Sequence, residues 1–114
     1  MKTITMSAAN YTEIVYPSVS GDSSDNVKEL CCAMAVLDKL EAQGVEFTET
    51  VRHPETGREM TATSYKPKKG DSIKIDLEDA EVTYLHDRLV ATLPRLQVTR
   101  SRHLLPLLEA LAPA

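Results

Sequence analysis

The stretch that decides the fold is VEFTETVRHPETGREMTATSYKPKKGDSIKIDL, residues 45–77. Its first seven residues alternate between the two sides of a strand, with Val45 and Phe47 on the same side. The turn HPETG reverses the chain, because proline presets φ and glycine tolerates a positive φ. A partner strand follows the turn, so the sequence predicts a hairpin over residues 45–65.

A third strand follows the hairpin. After the turn PKKGD, the segment SIKIDL (72–77) alternates apolar and polar residues. Three consecutive strands predict an antiparallel meander. The N-terminal segment KTITM (2–6) alternates in the same way and can add a fourth strand.

Helices are predicted on both sides of these strands, and the clearest one covers residues 26–43. Asn26 can cap its first turn, Glu29 stands three positions later as in a capping box, and Gly44 ends it. Its apolar residues recur every three to four positions, which predicts one buried stripe: Val27, Leu30, Cys31, Met34, Leu37 and Leu40.

Proline positions shape the other helices. A short helix is expected between Ser7, which can cap it, and Pro17, which stops it. A second long helix begins near Asp79 and is followed by a last helix that carries Pro106. A proline inside a helix removes a hydrogen bond, so the last helix is expected to begin near His103 or to bend there.

Together these elements predict one α+β domain over residues 1–114, a length that suits a single ordinary domain. In it, a small antiparallel meander of three to four strands packs against two longer helices and one short helix. An apolar fraction of 42% excludes a disordered tail. The longest apolar run, Cys31 to Leu37, is too short for a membrane span.

The net charge argues against nucleic acid as the partner. Thirteen basic and 17 acidic residues give a charge of −4 and a pI near 5.3, whereas free-standing nucleic-acid binders usually exceed about 9. The charge is also uneven: residues 1–57 carry four basic and nine acidic groups, and residues 58–114 carry nine and eight. We therefore expect a partner protein with a basic patch.

Two features predict the compartment. The two cysteines, Cys31 and Cys32, are adjacent, and a disulfide between neighbours is strained. We interpret both as small apolar helix residues in a reducing compartment. The opening residues MKTITMSAAN lack the apolar core of a secretory signal, so a cytoplasmic location is expected.

No catalytic, cofactor or metal site is predicted. His53, His86 and His103 are scattered over a turn and two helices, and none stands beside a recognisable nucleophile. The four glycines are too far apart to hold a phosphate, and His, Cys, Asp and Glu do not cluster at metal-ligand spacing. The protein is therefore expected not to be an enzyme.

The densest basic feature is the loop KPKKG, in which Lys66, Lys68 and Lys69 are candidate partner contacts. Three interpretations are open: a solvated loop at the end of a hairpin, a contact to an acidic protein surface, or a contact to nucleic acid. Base stacking on the loop is not favoured, because the chain has only four tyrosines and one phenylalanine.

The last helix is apolar around more than half of its circumference, through Leu104, Leu105, Leu107, Leu108 and Leu111. A helix of this kind usually packs on two sides. Either the domain core reaches around it, or a second subunit covers the remainder. In the second case Leu104, Leu108 and Leu111 bind a partner, either another copy of the chain or another protein.

The segment IKIDLEDAEVTYLHDRL and the C-terminal SRHLLPLLEALAPA resemble the C-terminal part of small phage and prophage proteins. Those proteins often end with a strand, an acidic helix start of the form Leu-x-x-Ala-Glu, a leucine-rich helix and a second helix with an alanine-rich tail. The matching positions are Leu77, Ala80, Glu81, Leu85, Leu89, Leu105, Leu108 and Ala110. The resemblance implies an accessory or morphogenesis protein that acts through protein contacts.

The sequence thus leads to two functional hypotheses besides an enzyme, which would need a deep pocket that brings His53, His86 or His103 beside a carboxylate. The first is a non-enzymatic protein–protein interaction module of phage or prophage origin: an assembly factor, a virion component or an inhibitor of a host protein. It would act in the host cytoplasm or the virion, with a homo-oligomer through the last helix as a possible state. The alternative is a nucleic-acid-associated regulator that uses the basic loop 66–69.

Overall fold

The computed structural model describes residues 1–112 and confirms the predicted α+β class. The first half contains strand β1 (Lys2–Ser7), a π-helical segment (Asn10–Val15), helix α1 (Tyr16–Ser20), helix α2 (Val27–Ala42) and strand β2 (Gly44–Arg52). The second half contains strands β3 (Glu59–Pro67) and β4 (Ser72–Leu77), helix α3 (Asp79–Thr92), a 3-10 turn (Leu93–Arg95) and helix α4 (Val98–Leu111).

The strands form two separate antiparallel ribbons and not the predicted meander. β2 and β3 form the expected hairpin, but β4 turns away from β3 and pairs with β1. In that ribbon Ile4 lies opposite Ile75 and Met6 opposite Ile73. The physical reason is the match between apolar faces, because β3 offers mainly threonine, serine and alanine in place of large aliphatic side chains.

The core lies on the inner face of the β1–β4 ribbon. Ile4, Ile75 and Leu77 on that face are at most 4% exposed, and helices α2, α3 and α4 pack against the ribbon. The largest fully buried side chains are Tyr11, Ile4, Leu40, Leu77, Leu85, Leu89, Leu104, Leu111, Val15 and Val36. All the helices therefore contribute to one core, and the β2–β3 hairpin contributes little beyond its root.

The predicted starts of the two long helices are confirmed. Asn26 Oδ1 accepts hydrogen bonds from the backbone N–H groups of Lys28 at 2.9 Å and Glu29 at 3.2 Å, which caps α2. The backbone N–H of Glu78 donates to Glu81 Oε1 at 2.8 Å, the reciprocal bond of a capping box at the start of α3. Local sequence therefore fixes where both helices begin.

Two prolines lie inside helical structure, and for Pro17 this is contrary to the prediction. Pro17 is the second residue of α1 and lies in its first turn, where a proline is tolerated because it removes no interior hydrogen bond. Pro106 lies within α4, which begins at Val98 and not near His103. Pro106 and Arg102 are both exposed, so water can satisfy the Arg102 carbonyl that loses its helical partner.

Candidate interaction surfaces

Helix α2 buries one apolar side and exposes another. Ala33, Val36 and Leu40 are at most 8% exposed and belong to the core. Four other apolar side chains of the helix are exposed: Val27 (74%), Leu30 (41%), Cys31 and Met34 (58%). These four residues lie within about 100° of the helix circumference, and we name them the α2 face.

The predicted buried stripe of α2 is therefore wrong for the four residues of the α2 face and confirmed for Leu40. Periodicity locates the apolar arc of a helix, but it does not show which neighbour covers that arc. Helix α3 packs beside Ala33 and Val36, where small side chains allow close approach. On that side Lys39 Nζ lies 2.5 Å from Glu81 Oε1 and joins the two helices.

The charges beside the α2 face are mainly acidic. Three exposed charged residues border it, two acidic and one basic: Asp25, Asp38 and Lys28. Glu29, two positions after Val27, lies on the opposite side of the helix. Asp38 follows Met34 by one turn on the same side of the helix. A complementary partner surface is therefore apolar at its centre and basic at its rim.

The second surface is the hairpin arm, which we define as residues 44–67. Its root is held by tyrosines. Thr12 Oγ1 donates to the carbonyl of Tyr65 at 2.8 Å, and the Tyr65 and Tyr16 rings lie 4.6 Å apart. Tyr11 Oη donates to the Leu40 carbonyl at 2.6 Å beneath Gly44, and burial together with Tyr16 raises the pKa of Tyr11 to about 12.

Beyond its root, the arm is exposed on both faces. One face carries Val51 and Met60, which are 41% and 50% exposed, and half-buried Ala62. The opposite face carries four exposed threonines: Thr48, Thr50, Thr61 and Thr63. A two-stranded hairpin without a covered face is at best marginally stable in water, so this arm is held by its root.

The total exposed surface reflects this shape. The chain exposes 7509 Å², about 1,300 Å² more than the roughly 6,200 Å² typical of a compact monomer of 12.6 kDa. Its radius of gyration is 14.5 Å, against about 13 Å for a compact domain of this length. The excess surface is larger than the ~800 Å² that one partner contributes to a standard interface.

The basic loop lies at the root of the hairpin arm. Lys66, Lys68 and Lys69 are all exposed, as the sequence predicts for a solvated or partner-binding loop. The Lys66 ammonium lies 5.7 Å from the centre of the Phe47 ring, within cation–π range. The backbone N–H of Lys68 donates to the Gln43 carbonyl at 3.2 Å and ties the loop to the end of α2.

The leucines of α4 lie in the core. Leu104, Leu108 and Leu111, predicted as partner contacts, are at most 7% exposed, because the core reaches around the helix. These side chains are covered by the chain itself and present no surface to a partner in this conformation. The leucine of α4 that is exposed is Leu105, at 49%, beside a shallow cleft that Val98 also lines.

A cleft of about 470 Å³ lies between the π-helical segment and α4, and its lining includes Glu13, Arg100 and His103. Sequence reasoning did not predict that these residues come together, because the two segments are far apart in the chain. Arg100 Nη2 is 3.8 Å from Glu13 Oε1, and both side chains are half exposed. Within residues 1–112 the His103 ring forms no hydrogen bond to a carboxylate.

A second cleft, of about 530 Å³, lies between the start of α2 and α3. Its polar groups bind one another. Tyr84 Oη donates to Asp22 Oδ2 at 2.7 Å, Arg88 Nη1 lies 3.5 Å from Asp22 Oδ1, and Arg88 Nε donates to the Ser18 carbonyl at 2.8 Å. Burial and the hydrogen bond to Asp22 raise the pKa of Tyr84. This network holds the segment after α1 against α3.

Metal-binding and membrane-spanning features are absent from the described part of the chain. Between residues 1 and 112, no group of three His, Cys, Asp or Glu side chains is placed to hold a metal ion. In the same range, none of the helices has both the length and the apolar content to cross a membrane.

Comparisons with known proteins give no match. No protein family model matches the chain, no curated protein is similar to it in sequence, and no solved structure is similar to its fold. Functional inference for this chain therefore starts from the surfaces described above.

Proposed function

We propose that this protein is a non-enzymatic protein–protein interaction module that binds a partner protein through the α2 face. The observation that carries the proposal is the exposure of four apolar side chains on one side of a helix whose other side is already packed in the core. Contiguous exposed apolar patches commonly mark interaction sites, because their burial removes apolar surface from water.

The charges indicate what kind of protein fits. Asp25 and Asp38 lie at the two ends of the α2 face, and the first half of the chain is strongly acidic. A partner with an apolar centre and a basic rim gains both hydrophobic burial and favourable electrostatic steering. The acidic rim also disfavours nucleic acid at this surface, because phosphates repel carboxylates.

The narrower proposal is an accessory protein of a phage or prophage. Its support is the C-terminal pattern described above, in which Leu77, Leu85 and Leu89 pack in the core and Glu81 caps α3. Within that class, an assembly factor, a virion component and an inhibitor of a host protein all act by binding another protein. Mass spectrometry of purified virions and of infected-cell extracts separates a virion component from the other two.

The α2 face is tested by affinity capture from a cell extract with the full chain and matched variants. Val27→Lys and Met34→Lys place a charge in the α2 face at side chains that make no core contact, so the fold is retained. Val98→Lys is the control, since it makes the same change at an exposed valine on α4. We expect wild type and Val98→Lys to capture the same protein, and the two α2 variants to lose it.

The charge argument gives a second measurement on the captured protein. Asp38→Lys is expected to weaken the complex several-fold by removing an attraction to the basic rim, and added salt is expected to weaken the wild-type complex. Capture that survives Val27→Lys and Met34→Lys, or that only Val98→Lys removes, contradicts the α2 assignment. Folding of each variant is checked by circular dichroism.

The alternative of a nucleic-acid-associated regulator is supported by the exposure of Lys66, Lys68 and Lys69 at one end of the hairpin arm. A salt titration of DNA and RNA binding tests it. If the loop binds phosphates, affinity falls steeply with salt, and reversing the charge of Lys68 and Lys69 flattens that slope. From the net charge of −4 we expect no binding even at low salt.

A further inference from the structure

The two edges of the hairpin arm differ. At the root, the outer edge of β3 is covered by the π-helical segment and α1, through the Thr12 bond to Tyr65 and the Tyr16 ring. In the described residues, the elements with extensive contacts to β2 are β3 and α2, and α2 is simply the helix that leads into it. The outer edge of β2 therefore presents unpaired backbone N–H and C=O groups.

Natural proteins block free edges with charged side chains, above all lysine, with proline or with a bulge. β2 has no lysine, proline or bulge, and its charged residues are Glu46, Glu49 and Arg52. Its nine residues pair with β3 without interruption. A strand of this length with an open edge is a template for another strand. The residues of β2 itself indicate which strand fits.

We propose that the outer edge of β2 pairs antiparallel with the β2 edge of a second copy of this chain and forms a four-stranded sheet across a two-fold axis. In the register centred on Glu49, Glu46 lies opposite the second copy's Arg52, and Arg52 opposite the second copy's Glu46. Both ends of the pairing thus carry an opposite-charge pair, which is favourable across an antiparallel ladder.

The interior of the same register is also complementary. Phe47 lies opposite the second copy's Val51, and Thr48 opposite the second copy's Thr50, each pair occurring twice by symmetry. Aromatic–β-branched pairs and threonine pairs both stabilise antiparallel sheets. The one unfavourable pair is Glu49, which meets its own copy at the axis.

Other registers lose this match. Because side chains alternate, only shifts of two residues keep the apolar side of each hairpin arm on the same face of the joint sheet. A shift in one direction pairs Phe47 with the second copy's Glu49, and a shift in the other pairs Glu49 with the second copy's Val51. Neither shift places Glu46 opposite Arg52.

The surface of the chain suits this pairing. The excess of about 1,300 Å² over a compact monomer of this mass is more than one protomer of a standard interface contributes. In the joint sheet, Met60 and Val51 of one copy lie in one row with Phe47 of the other copy. The apolar sides of the two arms therefore form one surface. The inference is independent of the α2 face and of the partner proposed there.

The test is sedimentation equilibrium of the full chain over a range of concentrations. We expect the wild type to approach twice 12.6 kDa as concentration rises. Arg52→Glu and Glu46→Arg each create two like-charge pairs, and each is expected to raise the dimer Kd by about tenfold. The double variant Glu46→Arg/Arg52→Glu restores opposite-charge pairs and is expected to return the Kd to near the wild-type value.

One further variant is expected to tighten the dimer, and two others serve as controls. Glu49→Gln removes the repulsion at the axis and is expected to tighten the dimer about threefold. Arg58→Glu and Glu55→Arg make the same charge changes on the arm outside the β2 edge, and neither is expected to change the Kd.

Each alternative outcome overturns the inference in a distinct way. A wild type that stays monomeric at all concentrations excludes the second copy. If neither single charge reversal changes the dimer Kd, or if the double variant does not return the Kd to the wild-type value, the dimer interface lies elsewhere. If the chain stays monomeric but Arg52→Glu abolishes capture of a different protein, β2 receives that protein and not its own copy. Loss of capture in the α2 variants alone bears on the proposed function and leaves the dimer intact.

Discussion

The two ribbons of this protein have the same local pattern and opposite environments. In the β1–β4 ribbon, alternate residues such as Ile73 and Ile75 are buried under helices. In the β2–β3 ribbon, the equivalent alternate residues Val51 and Met60 remain about half exposed. Alternation therefore identifies a strand but does not show whether its apolar side is buried within the chain or is available to a partner.

This difference separates the β1–β4 ribbon, which belongs to the core, from the hairpin arm, which is held by contacts at its root. The β1–β4 ribbon with its helices holds most of the buried apolar surface, and that surface is what stabilises the folded state. The hairpin arm depends on its root at Gly44 and Tyr65.

The largest effect is expected in the β1–β4 ribbon. Leu77→Ala removes a side chain that is 0% exposed and leaves a cavity, so we expect the free energy of unfolding to fall by about 3 kcal/mol. Urea denaturation monitored by circular dichroism measures it. A loss below about 1 kcal/mol would show that the ribbon does not support the core as described.

The root of the arm comes next. In Gly44→Ala the new Cβ overlaps with Tyr11 Oη and lies 2.9 Å from the Lys66 carbonyl oxygen. We expect a loss of about 2 kcal/mol, because packed neighbours have to move. The cost is expected to be smaller in a Tyr11→Phe background, which lacks the hydroxyl. Equal costs of Gly44→Ala in both backgrounds would contradict the Tyr11 contact.

A control for that change is available at the tip of the arm. Gly57 has a φ of +69° and open space around it, so Gly57→Ala has no steric clash and costs only the left-handed backbone conformation, about 1 kcal/mol. Unlike Gly44→Ala, its effect is expected to be independent of Tyr11→Phe. The same denaturation measurement in both backgrounds separates steric from conformational cost.

The pair that joins α2 to α3 gives a smaller, pH-dependent effect. Burial raises the pKa of Glu81, but hydrogen bonds from Lys39 and from the Glu78 backbone, with the Lys39 charge, outweigh it and hold the pKa below 4.5. The ionised carboxylate therefore stabilises the fold above the unfolded-state pKa, and this contribution is lost as pH falls through the lower folded-state pKa.

We expect Glu81→Gln to cost about 1 kcal/mol at pH 7, where the charged hydrogen bonds are intact. The difference from wild type is expected to shrink as pH falls below about 4.5, since the unfolded-state carboxyl binds a proton there first and the folded-state carboxyl does so only at lower pH. Denaturation curves at several pH values measure both. A difference that stays constant down to pH 3 would contradict the role of the charge.

The smallest effect on stability is expected at the far half of the arm. Measured at concentrations where the chain is monomeric, Val51→Ala and Met60→Ala are expected to cost less than about 0.5 kcal/mol each. Backbone amides between residues 48 and 63 are expected to exchange with solvent faster than those of the β1–β4 ribbon. Equal protection in both ribbons would show that the arm is covered by something within the chain.

Much of the local structure could be predicted, because it depends on neighbours in the chain. Asn26, Glu78 with Glu81, and the turn around Gly57 act over three to five residues, and the structure confirms the elements that they start or reverse. Whether a helix ends at a proline could not be predicted from neighbouring residues in this way. Pro17 lies in the first turn of α1, after a π-helical segment that ends at Val15, and such a segment has no clear sequence signal.

The candidate surfaces were harder to predict. Lys66, Lys68 and Lys69 are exposed as charged residues of a turn should be, whereas Leu104, Leu108 and Leu111 are covered by the core. The α2 face and the free edge of β2 had no sequence signal of their own. Apolar periodicity and strand alternation are the same for a surface that the chain covers and for one that it leaves open.

Local sequence was enough to predict the α+β class, the order of the strands, the acidic balance and the starts of α2 and α3, because propensity, capping and turn chemistry act over a few residues. It did not predict that α4 is a third long helix, which begins at Val98. The tertiary structure was needed to show that β4 pairs with β1 and that the core encloses α4. It also shows that α2 exposes an apolar face and that β2 exposes an unpaired edge. Those outcomes depend on which distant surfaces fit against each other, since burial is set by the competition between all apolar faces for a limited core.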